Sequence, residues 1–336
     1  MHNFPANPGL LGTMLLLFAA LACQLGPTPA PSPGPVSIDG VEQLTQDFAY
    51  YRDVIWSPRG DWIAARRCPI LLGRPECNGS DETIVLIEPN SAESQTLMLT
   101  LGGEDARGGF PIAWSRDGTR LLIGVGRVLT SDEAPILFHM YSYAAYRINT
   151  GELQELESDF YPIGWNPAGT AILVEMVRAE AVVSIGWLSF EASEFEEVLR
   201  HESREEFLGP YVVSPSGAII LQTDSNLPES CDKIRRNSLQ SVGQFESFLT
   251  LACFPSWSSD GSKLAYASKD APRSLPNQIT IANSDGSDPR PLFPGQQLGE
   301  LSFPTWSPDG LKIAFVRSSG GGSAIYVADV PEELRP

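Results

Sequence analysis

The chain has 336 residues, of which 42% are hydrophobic and 19% charged, so it can bury a large core. That is long for an ordinary domain but within reach of one large all-β domain, and 30 glycines with 28 prolines suit many short strands joined by tight turns. The formal charge of −18 repels phosphate backbones, which sets the chain against nucleic acid and favours solubility, a basic partner or a cation.

The first element in chain order is an apolar run from Leu10 to Ala22 that ends in small residues and meets Cys23. It is too short to span a bilayer comfortably and fits the hydrophobic part of a signal peptide. Ala20-Leu21-Ala22-Cys23 resembles the bacterial lipobox. The resemblance implies cleavage before Cys23 and a diacylglyceryl group on its sulfur, hence export and a lipid anchor on the outer face of a membrane, periplasmic or at the cell surface. The divisions expected are a leader over 1–22, a lipidated cysteine and linker over 23–40, and a folded domain over 41–336. Within the linker, Gly26–Pro35 is a Pro-rich run, extended and semi-rigid, suited to holding a domain off a surface.

From Val54 onward one pattern recurs six times. It reads VIWSPRGDWIAAR (Val54–Arg66), IAWSRDGTRLLIG (Ile112–Gly124), IGWNPAGTAILVE (Ile163–Glu175), YVVSPSGAIILQT (Tyr211–Thr223), PSWSSDGSKLAYA (Pro255–Ala267) and PTWSPDGLKIAFV (Pro304–Val316). Trp stands at 56, 114, 165, 257 and 306, Val213 replaces it in the fourth copy, and Gly follows four residues later every time. A period of roughly 50 residues with short strands marks propeller blades. Within each copy, Ser-Pro-Asp-Gly reads as a turn: Pro presets φ, Asp caps locally and Gly takes positive φ. The following residues alternate with period two and are apolar or small in both sets, as in a strand covered on both faces. The Trp is expected to fill the space between blades.

Third strands are predicted over Thr83–Glu88, Ala144–Asn149, Gln278–Asn283 and Ala324–Asp329, and a fourth over, for example, Glu152–Leu156. Glu191–Glu206 comes nearest to helical periodicity and is left unassigned. The last copy stops one strand short, while Val41–Thr45 has no blade of its own. The expectation is an all-β, six-bladed β-propeller of four antiparallel strands per blade, with this N-terminal strand closing the last blade.

WSPDG, an IAF-type strand and then IYVAD resemble the WD40-like repeat of TolB-type propellers, over about Val41 to Val330. That resemblance implies the propeller alone. TolB carries an additional α/β domain ahead of its propeller and works in a periplasmic envelope complex, and its role does not transfer with the fold.

Four cysteines remain beside Cys23, and an even number in an exported chain suggests two disulfides. Three pairings exist. Strand placement favours Cys68–Cys77 within blade one and Cys231–Cys253 within blade four, Cys253 ending its fourth strand, both on the top face. On that face an aromatic residue precedes each motif: Tyr51, Phe110, Tyr161, Tyr211, Phe254 and Phe303. Two roles are open for them, packing where the chain enters the inner strand or a ring around the channel mouth that contacts a partner. Glu104, Asp105, Asp159 and Glu300 stand nearby and could attract a cation or simply be solvated. Asp117, Asp260 and Asp309 are read as turn residues rather than metal ligands, and Asn283–Asp288 as a hairpin turn rather than a calcium loop.

His139 and His201 belong to no metal pattern, and no Gly-x-Ser-x-Gly elbow occurs. The reading is a monomeric, membrane-tethered module that binds a protein or peptide, is not an enzyme and needs no cofactor. The alternative is a hydrolase or lyase with carboxylates in the channel, acting on a small molecule or sugar.

Overall fold

The computed structural model describes Gly40 to Pro336 except 72–73, 76, 78–81, 102–103, 106–107, 132–133, 157–159, 179–181, 191–193, 203–209, 226–227, 229 and 241–244. Six four-stranded antiparallel sheets are present. Their innermost strands are Tyr50–Trp56, Gly109–Trp114, Tyr161–Trp165, Tyr211–Val213, Ala252–Trp257 and Glu300–Trp306. Five blades run in chain order from innermost to outer strand. The sixth consists of Glu300–Trp306, Lys312–Ser319 and Gly322–Asp329, and Val41–Gln43 supplies its outer strand. Val41, Glu42 and Gln43 pair with Ala328, Val327 and Tyr326. Leu44 N–H then donates to Ile325 O at 2.8 Å, and Ile325 N–H donates to Thr45 Oγ1 at 2.9 Å. The first and last blades are therefore joined and the ring has no open edge there.

The second strands bury nearly everything they carry, for example Leu121, Leu122, Ile123, Ile172, Leu173 and Val174, all fully enclosed. The two apolar faces pack against different neighbouring blades, which is why both sets of alternating residues are apolar. At the foot of each inner strand the predicted turn forms, with the glycine at positive φ in every copy. Gly217 is closely packed as well, since an added Cβ would sit 2.9 Å from Pro167 in the turn of the preceding blade. Asn283–Asp288 is a hairpin turn, Gly286 N–H donating to Asn283 O at 2.8 Å.

Three expectations need correction. The unassigned stretch holds a strand, Phe195–Glu202, the outer strand of blade three. The third strand of blade two is far longer than predicted, Ala134–Arg147, pairing with Arg120–Ser131. Cys253 does not end blade four: that blade's outer strand stops at Thr250, Leu251 reverses the chain at φ 54, and Cys253 lies in the innermost strand of blade five. Both pairings hold, with Cα–Cα distances of 5.1 Å for Cys68–Cys77 and 5.8 Å for Cys231–Cys253. The second bridge, however, staples two blades together rather than two strands of one. Beside it, Lys269 Nζ meets Asp232 Oδ1 at 3.0 Å, again from blade five to the loop entering the third strand of blade four.

Candidate functional site

The inner strands enclose a channel of about 1170 Å³. Its lower wall carries the five repeat tryptophans, Trp56, Trp114, Trp165, Trp257 and Trp306, with Val213 in the sixth place. They reach the channel by an edge and otherwise fill space between blades, and Trp114 Nε1 donates to Ile55 O of the neighbouring blade at 3.3 Å.

Above them, five of the six inner strands contain a one-residue bulge. A bulge re-aims side chains and tolerates proline, which explains Pro111, Pro162, Pro255 and Pro304 at these points. In blades five and six the bulge holds Phe254 and Phe303 at φ 52. The same place in blade one is Asp53, at φ 51.

This geometry sorts the predicted aromatic set. Phe110, Tyr161, Tyr211, Phe254 and Phe303 line the channel. Tyr51 does not. It is 3% exposed, and its hydroxyl donates to Asp47 Oδ1 at 2.6 Å. Burial, then the Asp47 carboxylate, pushes its phenol well above the ordinary tyrosine value. The correction has a plain cause: the bulge follows Arg52, so Arg52 and Asp53 face the channel and Tyr51 points into the blade. Phe254 and Phe303 are buried against each other with ring centroids 4.2 Å apart, so packing accounts for most of their surface. Tyr161 is different, standing 48% exposed.

The acidic set fares less well. Glu300 opens the inner strand of blade six but is not among the channel-lining side chains. Glu104 and Asp105 sit in a short two-stranded ladder with Thr100–Leu101, and their side chains, like all of Asp159 and the side chains of His139 and His201, lie outside the described residues. Cys23 and the leader also lie outside them.

Charged groups that the sequence reading missed occur in two sectors. On blade one, Arg66 contacts Asp53 Oδ2 at 3.6 Å, pairs with the buried Glu82 and stacks over Phe110 at 5.1 Å from the ring centroid. Arg52 lies 5.7 Å over the Phe303 ring. On blades three and four, Glu175 lines the channel beside Tyr211. Burial pushes the Glu175 carboxyl above its ordinary value, the Tyr211 hydroxyl acting the other way, and burial likewise raises Tyr211. Glu175 is the last residue of the recurring pattern and lies within the second strand of blade three, Ala171–Arg178, so its position was legible, but nothing in the sequence distinguished it from a solvated acid. Among the described residues no three His, Cys, Asp or Glu side chains cluster as a metal site requires.

No protein-family model matches the chain, and no curated protein does. Solved structures do match. TolB of Acinetobacter baumannii superposes with a TM-score of 0.55 at 15% identity, over 79% of this chain, which spans only 59% of the length of that protein. The fold is that of the TolB propellers. A protein assigned as TolB in Agrobacterium tumefaciens gives 0.54 at 17% identity, covering 87% of this chain and 97% of that one. An oligogalacturonate lyase in complex with manganese gives 0.50 at 14%, covering 88% and 94%. Identities this low speak for the shared propeller and leave activity to the site itself.

Proposed function

We propose that this chain is an exported propeller, tethered to the outer face of a membrane through lipid on Cys23, which binds a protein or peptide segment at its top face and performs no chemistry of its own. The observation that carries the reading is the aromatic wall of the channel, with Tyr161 half exposed at its upper end. Rings of this kind give large contact area at small entropic loss and serve as anchors for a partner. Two disulfides fit an oxidising compartment outside the cytoplasm. The described residues include no helix long and apolar enough to cross a membrane.

The rival hydrolase or lyase reading needs two carboxyls facing one substrate bond. The two acids of the described channel lining, Asp53 and Glu175, stand on blades one and three, and Asp53 is occupied by Arg66. Neither arrangement favours general acid–base catalysis by a pair. The protein requires no cofactor in this reading and acts as a monomer, the ring being closed by its own N-terminal strand.

The test is selection of a displayed peptide library on the purified protein, followed by photo-crosslinking from a benzoylphenylalanine placed at Tyr161. Enriched peptides that crosslink there and are displaced by Tyr161→Asp support channel binding. A library that yields no binder, or binders indifferent to Tyr161→Asp, refutes it.

A further inference from the structure

Glu175 is a carboxyl set into an otherwise aromatic wall. It pairs in register with Tyr161 across the two inner strands of blade three, so the two side chains share one face of the sheet. Tyr143 of blade two packs edge-on against Tyr161, with centroids 5.6 Å apart at 65°. Tyr211 of blade four closes the other side, its hydroxyl buried beside the carboxyl without an aligned hydrogen bond. All four line the channel. No described cation forms an ion pair with Glu175, in contrast to Asp53 and Glu82, which Arg66 holds.

A lone carboxyl among neutral rings is a poor divalent-cation site, because calcium takes six to eight oxygens and magnesium six. It is a good site for an ammonium. A protonated amine gains from ring faces within about 6 Å and offsets its lost hydration by pairing with one carboxylate. The formal net charge of −18 favours the approach of such a ligand. We propose that Tyr143, Tyr161, Tyr211 and Glu175 form a pocket for a primary ammonium group, carried by an extended peptide as a lysine side chain or as its free N-terminus. This inference rests on the peptide-binding reading above and names the group that the channel recognises.

The experiment is calorimetric titration of the full chain with four probes. They are N-acetyl-Leu-Lys-Leu-amide, its Nε-acetyl-lysine counterpart, Leu-Leu-Leu-amide with a free N-terminus, and n-butylammonium chloride. The variants are Glu175→Gln, Tyr161→Ala and Tyr161→Phe, each checked by thermal melting. An ammonium-bearing peptide is expected to bind roughly tenfold or more tightly than the acetyl-lysine peptide. Which of the two binds, the lysine peptide or the free N-terminus, identifies the source of the amine. Glu175→Gln should erase the preference, Tyr161→Ala should weaken ammonium binding, and Tyr161→Phe should restore it. If Glu175→Gln does not fold, the exposed Tyr161 pair of variants decides.

Equal affinity of wild type for the lysine, acetyl-lysine and free-N-terminus peptides overturns the amine pocket while leaving peptide binding intact, and so does a preference that survives Glu175→Gln. Binding of n-butylammonium that depends on Glu175, with no tripeptide bound, keeps the pocket and removes the peptide reading. Failure of all four probes removes both.

Discussion

At Ser307 the hydroxyl donates to Asp309 Oδ1 at 2.6 Å while its oxygen accepts the Lys312 N–H at 2.9 Å. The same arrangement holds at Ser115 with Asp117 and Arg120, and at Ser258 with Asp260 and Lys263. Asn166 and Ser214 accept the equivalent N–H of the next strand in their copies. The residue after each tryptophan thus ties the turn to the start of the second strand. Ser307 is 3% exposed, and Ser307→Ala should cost about 1–3 kcal/mol in urea unfolding, because it removes the acceptor of the Lys312 N–H and one of the donors to the Asp309 carboxylate. The acids carry a pH signature. The Ser115 and Ser307 hydroxyls hold Asp117 and Asp309 below the ordinary carboxylate value. At Asp260 burial works upward but is outweighed by the Ser262 N–H and the Ser258 hydroxyl. A carboxyl depressed in the folded state adds stability above its unfolded pKa, and that contribution disappears as pH falls from roughly 4 through the folded value. Urea midpoints should therefore drop between pH 5 and pH 2.5 (about the unfolded aspartate range), and Asp309→Asn should make that drop shallower. An unchanged slope in Asp309→Asn contradicts the assignment. The turn itself was legible because Pro, Asp and Gly each have a local conformational reason to be there. The serine's bond to a strand it has not yet reached in sequence was not, since its partner is a backbone group that every residue possesses.

Strands and blades were readable from period and alternation, but bulges were not, and the bulges decide what faces the channel. One extra residue after Arg52 carries Tyr51 into the blade and Asp53 into the channel. The same device in blades five and six presents Phe254 and Phe303. Aromatic residues just ahead of the motif therefore marked the right stretch of every inner strand without saying which residue would turn inward. The cysteines show the same limit at a blade boundary. A reading from strand counts kept Cys253 in blade four, whereas the reversal at Leu251 delivers it to blade five. The resulting bridge joins blades that also meet by packing, the Lys269–Asp232 pair and the Arg273 N–H donating to Asp232 Oδ1 at 3.2 Å. Its sequence separation of 22 gives an expected loss of about 3 kcal/mol for Cys231→Ser with Cys253→Ser, read from chemical unfolding. Peptide mapping without reduction should recover 68–77 and 231–253 and no crossed pair. On the opposite face, Gly217→Ala must hold φ +71 and press a methyl 2.9 Å from Pro167, a change expected to cost about 1–3 kcal/mol.

For the molecule as a whole, the strand that closes the ring is also the first described strand after the proposed anchor. In the proposed tethering, a Pro-rich linker from Cys23 to Val41 would reach roughly 55 Å at about 3.1 Å per residue if extended, enough to lift the domain clear of headgroups. The proposed tether and the closure are thus adjacent in sequence but would depend on different chemistry, thioether lipid in one case and backbone hydrogen bonds in the other. Two variants should separate them. Cys23→Ala is expected to move the protein from the membrane pellet to the soluble fraction with its melting temperature unchanged. Leu44→Pro removes the N–H that donates to Ile325 O and distorts the path of the closing strand, so it should leave membrane attachment intact while lowering the melting temperature by several degrees and exposing residues 40–49 to protease. An unchanged membrane fraction for Cys23→Ala contradicts lipidation at that residue. A Leu44→Pro protein as stable as wild type would mean that blade six holds the ring without its outer strand, which the buried position of Leu44 and its hydrogen bond argue against.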